Sequence, residues 1–265
     1  MPGFTAILSP AKSLDMAASD IPNGLETSNP RLGSRTRALA EILSTLSAAR
    51  LGTLMSISTK LSELNHERWQ AFGARSNPRG PAAMCFRGDV YQGLEAWTMN
   101  ARALAWAQDH LRILSGLYGL LRPLDRIQPH RLEMGTRLKT AEAGDLYEFW
   151  GDDIARTLGK DIAANGSETL VNLASDEYSK AARLDTLDVP VIDVKFLQID
   201  GGKEKFISFH AKQSRGLMVR WMADHRPRTL KALRDFDAGG YEISDASTAD
   251  TLVFTRPKPP PLRAP

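Results

Sequence analysis

Five basic residues stand in or just after predicted β-strands, where α/β proteins build their ligand sites. Lys12 follows the first predicted strand and Arg87 follows the second. Lys212 and Arg215 open the helix behind a later strand, whereas Lys195 lies mid-strand and either pairs with an acid or lines a cleft. Because the loops beyond strand carboxyl ends form the ligand crevice, we expect these residues to converge at one sheet edge and bind an anion.

Two helices joined by a tight turn are predicted over Leu51–Trp69, in the frame of a helix-hairpin-helix module. Such modules aim backbone N–H groups of a glycine-rich turn at a DNA phosphate, and here serine replaces both glycines. The second helix begins with hydroxyls and a lysine and has no acid in its first turn, which makes a good anion site. We expect phosphate contacts from Ser56, Ser58, Thr59 and Lys60. The alternative is that the two helices form only a packing unit.

Acidic residues near the cations keep an enzymatic alternative open. Asp89 or Glu133 could act as acid or base while the basic residues hold a phosphate. Asp176 and Glu177 could complete such a site, but capping of a helix that begins at Ser175 explains them as well.

Common catalytic and metal-binding motifs are missing from the sequence. It contains no glycine-rich nucleotide loop, no Gly-x-Ser-x-Gly and no histidine pair at metal-ligand spacing. The single cysteine, Cys85, excludes a disulfide framework and an iron–sulfur cluster, and we expect it to be a small buried residue. A Gly-x-x-Gly loop at 116–119 could clamp a nucleic-acid backbone as an accessory. We expect no cofactor, no metal and no catalytic residue.

Positive charge is concentrated in two segments. The chain has 34 Lys and Arg against 31 Asp and Glu, a net charge of only +3. Residues 111–139 carry +4 and residues 210–234 carry +6, which leaves −7 for the rest. Segregated positive charge favours a polyanion or a phosphorylated ligand; two solvated helix faces are the alternative.

The elements that must position these residues mix strands with helices. Predicted strands cover residues 4–8, 82–86, 112–115, 169–174, 191–199 and 204–209, with edge strands at 241–243 and 251–254. Predicted helices cover residues 34–49, 51–55, 59–72, 100–110, 145–164, 175–182 and 211–225. This pattern predicts a mixed α/β (α+β) fold with a central mixed sheet flanked by helices.

The predicted boundaries are a single domain over 1–254, with the helix-hairpin-helix-like element at about 51–69, and a Pro-rich unstructured tail over 255–265. The sequence has no apolar run of the length that spans a bilayer and no signal-peptide pattern, so we expect a cytoplasmic protein.

Seven blocks of the sequence resemble the YaaA peroxide-stress family. They are SPAKSLD (9–15), ISTKL (57–61), FRGDVYQGL (86–94), LSGLYGLLRPLDRIQPHRLEMGTRL (114–138), LYEFWGD (146–152), VNLASDEYSKA (171–181) and ISFHAKQSRGLMVRW (207–221). The blocks follow the order of the family and span most of the chain. Arg87 stands where we expect lysine in many relatives, a change that keeps the charge but alters phosphate geometry.

The resemblance implies a cytosolic bacterial protein that protects against hydrogen peroxide by limiting free iron. It also implies DNA binding through a positively charged cleft and a helix-hairpin-helix element, with no catalytic activity or cofactor. We therefore expect a monomer that binds duplex DNA largely without sequence preference and has no membrane partner. The alternatives are an enzyme acting on a nucleic acid or a phosphorylated small molecule in the same basic cleft, and an iron-handling protein.

Overall fold

A computed structural model describes residues 3–17 and 20–258 of the chain. Its strands are β1 Gly3–Leu8, β2 Ser13–Leu14, β3 Gly80–Pro81, β4 Phe86–Arg87, β5 Leu111–Ser115, β6 Gly119–Leu121, β7 Arg126–Ile127, β8 Ser167–Leu173, β9 Val191–Asp200, β10 Lys203–Lys205, β11 Glu242–Ile243 and β12 Thr251–Pro257. Its α-helices are α1 Gly33–Ser44, α2 Ala48–Met55, α3 Thr59–Ala71, α4 Ala82–Cys85, α5 Asp89–Leu94, α6 Ala101–His110, α7 Leu146–Trp150, α8 Asp153–Asn165, α9 Asp176–Ala181, α10 Ser208–His225 and α11 Leu230–Leu233. The predicted mixed α/β class is confirmed.

A mixed sheet with the strand order β11-β12-β9-β8-β1-β5-β6 forms the centre of the protein. The five strands from β12 to β5 run parallel, whereas β6, β10 and β11 pair antiparallel at the margins. Strand β1 lies between β8 and β5, and its apolar residues from Phe4 to Leu8 are buried because helices cover the sheet. The carboxyl ends of β8, β1 and β5 therefore meet at one edge.

Helices α5 and α10 pack against each other with almost no gap. A Cβ atom added at Gly93 would lie 1.9 Å from the carbonyl oxygen of Gln213, and one added at Gly216 would lie 1.7 Å from that of Val90. Only glycine permits this approach, because any side chain would overlap the facing backbone. The contact places the beginning of α5 next to the first turns of α10.

Three predicted elements differ from the structure. The apolar run 82–86 is a buried helical turn followed by β4, because Ala, Met and Cys form a helix as readily as a strand when all sides are covered. The predicted helix over 145–164 is two helices, α7 and α8, separated at Gly151, whose φ is 47°. The predicted strand over 204–209 ends at Lys205, and its remaining residues lead into α10.

The carboxyl-terminal strand is longer and more central than predicted. Strand β12 pairs parallel with β9 through Pro257, so residues 255–257 belong to the sheet and not to a tail. The backbone N–H of Lys258 also donates to the carbonyl of Ile199 at 3.1 Å. The rest of the predicted tail, residues 259–265, lies outside the described residues. Within residues 3–17 and 20–258, no helix has the length and apolarity needed to cross a membrane.

Candidate functional site

A cavity of about 420 Å³ opens at the carboxyl ends of the three central strands. Ser175 follows β8, Ser9 follows β1 and Ser115 ends β5, and all three hydroxyls line the cavity. The Ser9 hydroxyl donates to Ser175 Oγ at 3.2 Å and accepts from the Ser175 backbone N–H at 2.9 Å. This position is where parallel sheets place their ligands, and the serines give the cavity a floor of hydroxyl groups.

Four of the five cations predicted to converge line this cavity. They are Lys12, Arg87, Lys212 and Arg215. Lys195 does not belong to the lining: it lies on β9 with an exposed side chain, in the middle of the strand and not at its end. The expectation that all five meet is therefore wrong for Lys195, because a mid-strand position is remote from the loops that enclose the cavity.

Glu133 holds two cations on one wall of the cavity. Its Oε2 lies 2.6 Å from Lys12 Nζ, and its Oε1 accepts from Arg131 Nη2 at 3.0 Å. The Lys12 side chain is 64% exposed, whereas that of Glu133 is 27% exposed. The pair thus stands at the mouth of the cavity, with the carboxylate turned inward.

Arg87 is held by a second acid and by an aromatic ring. Its Nη2 lies 3.2 Å from Asp15 Oδ2, and its guanidinium carbon lies 4.6 Å from the centre of the Trp97 ring. The same side chain donates to the carbonyl of Met84 at 2.5 Å. These contacts fix the guanidinium, so Arg87 contributes charge with little freedom to move.

Lys212 and Arg215 lie one turn apart on α10 and face the cavity together. Lys212 is exposed and Arg215 is half-buried. Burial lowers the pKa of the Arg215 guanidinium, and the charge of Asp176 acts in the opposite direction. An anion entering the cavity would add to the effect of Asp176 in stabilising the charged guanidinium.

His130 adds a neutral ring to the cavity wall. Burial lowers its pKa to about 4, and its Nδ1 lies 2.8 Å from the carbonyl oxygen of Gln128. The imidazole therefore carries no charge at neutral pH, and its Nδ1–H donates to that carbonyl. The positive charge of the cavity comes from lysine and arginine alone.

Two acids and a tyrosine complete the lining. Asp89 begins α5, and Glu177 accepts from the backbone N–H of Gly135 at 2.8 Å through its Oε1. Burial raises the pKa of the Tyr178 hydroxyl, which stays protonated and can donate a hydrogen bond. The cavity thus combines cations with carboxylates rather than being purely basic.

Sequence reasoning missed several of these residues. The floor serines, Arg131 and His130 were not predicted. The serines could have been found by position, because each stands at or just after the end of a predicted strand. No signal in the sequence distinguishes Arg131 from the neighbouring arginines, since only the fold brings it to Glu133.

The predicted two-helix segment forms a hairpin of α2 and α3, called here the α2–α3 hairpin (residues 48–71). Ser56 ends α2 with a φ of 51°, the left-handed conformation that the glycines of such turns adopt. The Ser58 hydroxyl caps α3 by accepting from the backbone N–H of Leu61 at 3.4 Å. Ser56, Ser58, Thr59 and Lys60 are all exposed, and no acid falls in the first turn of α3.

Aromatic rings link the other end of the hairpin to the cavity. The ring of Trp69 lies 5.8 Å from that of Phe72, Phe72 lies 6.5 Å from Tyr118, and Tyr118 lies 5.1 Å from the His130 ring. The tip of the hairpin lies at the other end of α3, which is about 20 Å long at the rise of an α-helix, and no residue of 48–71 lines the cavity. The hairpin and the cavity are therefore two separate places on one molecule.

The Gly-x-x-Gly loop at 116–119 is buried and packs inside the core, so it does not contact a nucleic-acid backbone. Leu117 and Tyr118 are buried, and a Cβ atom at Gly116 would lie 2.4 Å from the carbonyl oxygen of Leu132. Gly119 has a φ of +67° and lies against the ring of Trp150. This accessory expectation is wrong, because no nucleic acid can reach a loop inside the core.

The sheet and its cavity define a mixed α/β protein with a polar crevice, lined by lysine and arginine side chains, at its strand ends. Residues 4–247 match the family model described as peroxide stress protein YaaA, and the chain belongs to this family. A UPF0246 protein of Cereibacter sphaeroides is 51% identical over 253 residues, covering 95% of this chain and 98% of the relative. UPF0246 proteins of Idiomarina loihiensis and Phenylobacterium zucineum are 48% and 46% identical, covering 95% and 97% of this chain and 98% and 97% of their own lengths.

Proposed function

We propose that this protein binds the phosphate backbone of duplex DNA in the bacterial cytoplasm, largely without sequence preference, as its part in the peroxide response. The exposed tip of the α2–α3 hairpin carries the proposal. It presents the start of α3, the hydroxyls of Ser58 and Thr59 and the amine of Lys60, with no acid in the first turn to repel a phosphate.

The chemistry of the tip suits phosphate rather than base edges. Backbone N–H groups, hydroxyls and lysines position a protein on DNA without reading its sequence. Lys212 and Arg215, which line the cavity and form no salt bridge within the described residues, add positive potential that attracts the polyanion. Binding at the backbone would bring the protein to the molecule that iron-dependent oxidation damages, which supports a protective role.

Replacing Lys60 by glutamate tests the proposal. We expect Lys60→Glu to weaken binding to a short random-sequence duplex by about 1–3 kcal/mol, because it removes a charge-assisted phosphate contact and adds repulsion. Fluorescence anisotropy at fixed low salt measures the change. Lys160→Glu is the matched control, since Lys160 is also an exposed helical lysine, in α8. Equal affinity of the two variants would contradict the proposal.

A second candidate function is an enzyme acting on a nucleic acid or a phosphorylated small molecule in the cavity. The observation that favours it is the presence of Glu133 and Glu177 beside the cavity cations. A carboxylate so placed can take up a proton while the cations stabilise a phosphate. Incubation with nucleotides and single-stranded DNA, followed by analysis for hydrolysis products, tests this function. Turnover that Glu133→Gln or Glu177→Gln abolishes would support it.

A further inference from the structure

Two cations of the cavity form no salt bridge within the described residues, although the charge of Asp176 acts on one of them, Arg215. In residues 3–17 and 20–258, no carboxylate forms a salt bridge with Lys212 or Arg215. The other cations of the lining each have a carboxylate partner at 3.2 Å or less. Arg215 is half-buried with no described carboxylate at salt-bridge distance, so an anion bound beside it would offset part of the cost of burying its charge.

The hydroxyl groups of Ser115 and Ser175 provide additional hydrogen-bond donors in the same cavity. The Ser115 Oγ accepts from the backbone N–H of Tyr118 at 3.1 Å, so its O–H is available to donate. Ser9 donates to Ser175 Oγ, so the Ser175 O–H is also available. The floor therefore offers hydrogen-bond donors to an acceptor-rich ligand.

We propose that the cavity binds the phosphate of a single nucleotide, with Lys212 and Arg215 as its charged ligands and the floor serines as further donors. A terminal phosphate carries close to two negative charges and three strongly accepting oxygens. It therefore matches two cations and a set of hydroxyls better than a carboxylate does. The arginine fork and the lysine are the side chains that proteins use most for phosphate.

The rest of the cavity fits the organic part of a nucleotide. A volume of about 420 Å³ exceeds what a phosphate fills, and it falls in the range of small-molecule sites. Pro10, Val90 and Leu132 give apolar surface, and the aromatic rings of His130 and Tyr178 also border the cavity. A duplex does not fit such a space, so the ligand is a free nucleotide or the phosphorylated end of a single strand. This proposal rests on the second candidate function, ligand binding in the cavity, and is independent of duplex binding at the hairpin.

Isothermal titration calorimetry of the full chain tests the proposal. The probes are deoxyadenosine monophosphate and a trinucleotide with a 5′-phosphate, and deoxyadenosine serves as the phosphate-free control. We expect one or both phosphate-bearing probes to bind and deoxyadenosine to bind at least about tenfold more weakly. Arg215→Gln and Lys212→Gln should each lower the affinity about tenfold or more. Lys160→Gln, on α8, should bind like the wild type.

Each outcome decides the proposal. Binding of the mononucleotide identifies a free nucleotide as the ligand, and binding of the trinucleotide alone identifies a strand end. Binding of neither probe, equal binding of deoxyadenosine, or unchanged affinity in the Lys212→Gln variant would overturn it. Lys212 is exposed, so that variant remains informative if Arg215→Gln fails to fold. Duplex binding measured on the same preparations separates this proposal from DNA binding at the hairpin.

Discussion

The cations of the cavity differ in whether they form salt bridges. Glu133 lies 2.6 Å from Lys12 and 3.0 Å from Arg131, so its single negative charge is shared between two cations. Lys212 and Arg215 form no salt bridge with any described residue. The two residues without such salt bridges therefore indicate where an anion would bind. The net charge of the chain carries no such information.

The buried His130 predicts a pH dependence of folding stability. Burial lowers its pKa from 6.5 to about 4 in the folded protein. As the pH falls below 6.5, His130 is protonated in the unfolded chain, whereas in the folded protein it stays neutral until about pH 4. Stability is therefore full above this window and falls through it, with a limiting slope of about 1.4 kcal/mol per pH unit. Urea unfolding of wild type and His130→Phe measures the contribution, and the variant should decline less steeply.

The comparison between the two proteins isolates His130 from other titrating groups. Burial also lowers the pKa values of His110 and His210, and both residues are present in wild type and variant. The difference in slope between pH 6.5 and pH 4 therefore belongs to His130. Identical slopes would contradict the neutral, buried imidazole.

At the scale of elements, the contact of α5 with α10 builds one side of the cavity. Gly93→Ala and Gly216→Ala should each destabilise the protein by about 1–3 kcal/mol or more, because the new methyl group meets a carbonyl oxygen at less than van der Waals distance. Chemical denaturation measures the loss. The same variants should lower the affinity of the cavity for any ligand, since the two helices carry Asp89 and Arg215, which line it.

Gly159 provides the matched control for these substitutions. It lies inside α8, and an added Cβ atom would come no closer than 3.8 Å to Leu187 Cδ2. Gly159→Ala should therefore stabilise the protein by about 0.5–1 kcal/mol through helix propensity. A similar loss in all three variants would mean that the close approach of α5 and α10 is not the cause.

Most elements of the fold were predictable, and the failures share a physical reason. Helix α6 and strand β1 follow directly from periodicity, with Asn100 capping α6 as its sequence position indicates. The apolar run 82–86 predicts a strand, although the first four residues form a helix, because a short apolar run has the same pattern in a buried helix and in a buried strand. The parallel pairing of β12 with β9 is a long-range contact that no local pattern encodes.

The candidate site was predictable where a residue stands at the end of an element. Lys12, Arg87 and Lys212 follow strands or open a helix, and the fold brings them together. Lys195 is also a basic residue in a predicted strand, but it lies in the middle of that strand and therefore outside the cavity. Pairings such as Glu133 with Lys12 depend on tertiary packing and leave no trace in the spacing of the sequence.

At the scale of the whole molecule, basic segments in the sequence are not equivalent to basic surfaces. Within 111–139, Arg112 is buried in an ion pair with Asp161, an acid outside the segment, so one of its positive charges is compensated inside the fold. Segment 210–234 retains Lys212 and Arg215 without salt bridges to described residues. The positive surface that 111–139 offers to DNA is therefore smaller than its charge count indicates.

The salt dependence of duplex binding tests the central claim most directly. The logarithm of the affinity should fall linearly with the logarithm of the salt concentration, with a slope of roughly −4 to −5. Each phosphate that the protein neutralises releases counterions and contributes about −0.9 to this slope. Lys60→Glu should reduce the steepness by about 1, whereas Lys160→Glu should leave it unchanged. Affinity should also vary little between duplexes of different sequence. A wild-type slope near zero, or a strong preference for one sequence, would contradict binding through the phosphate backbone.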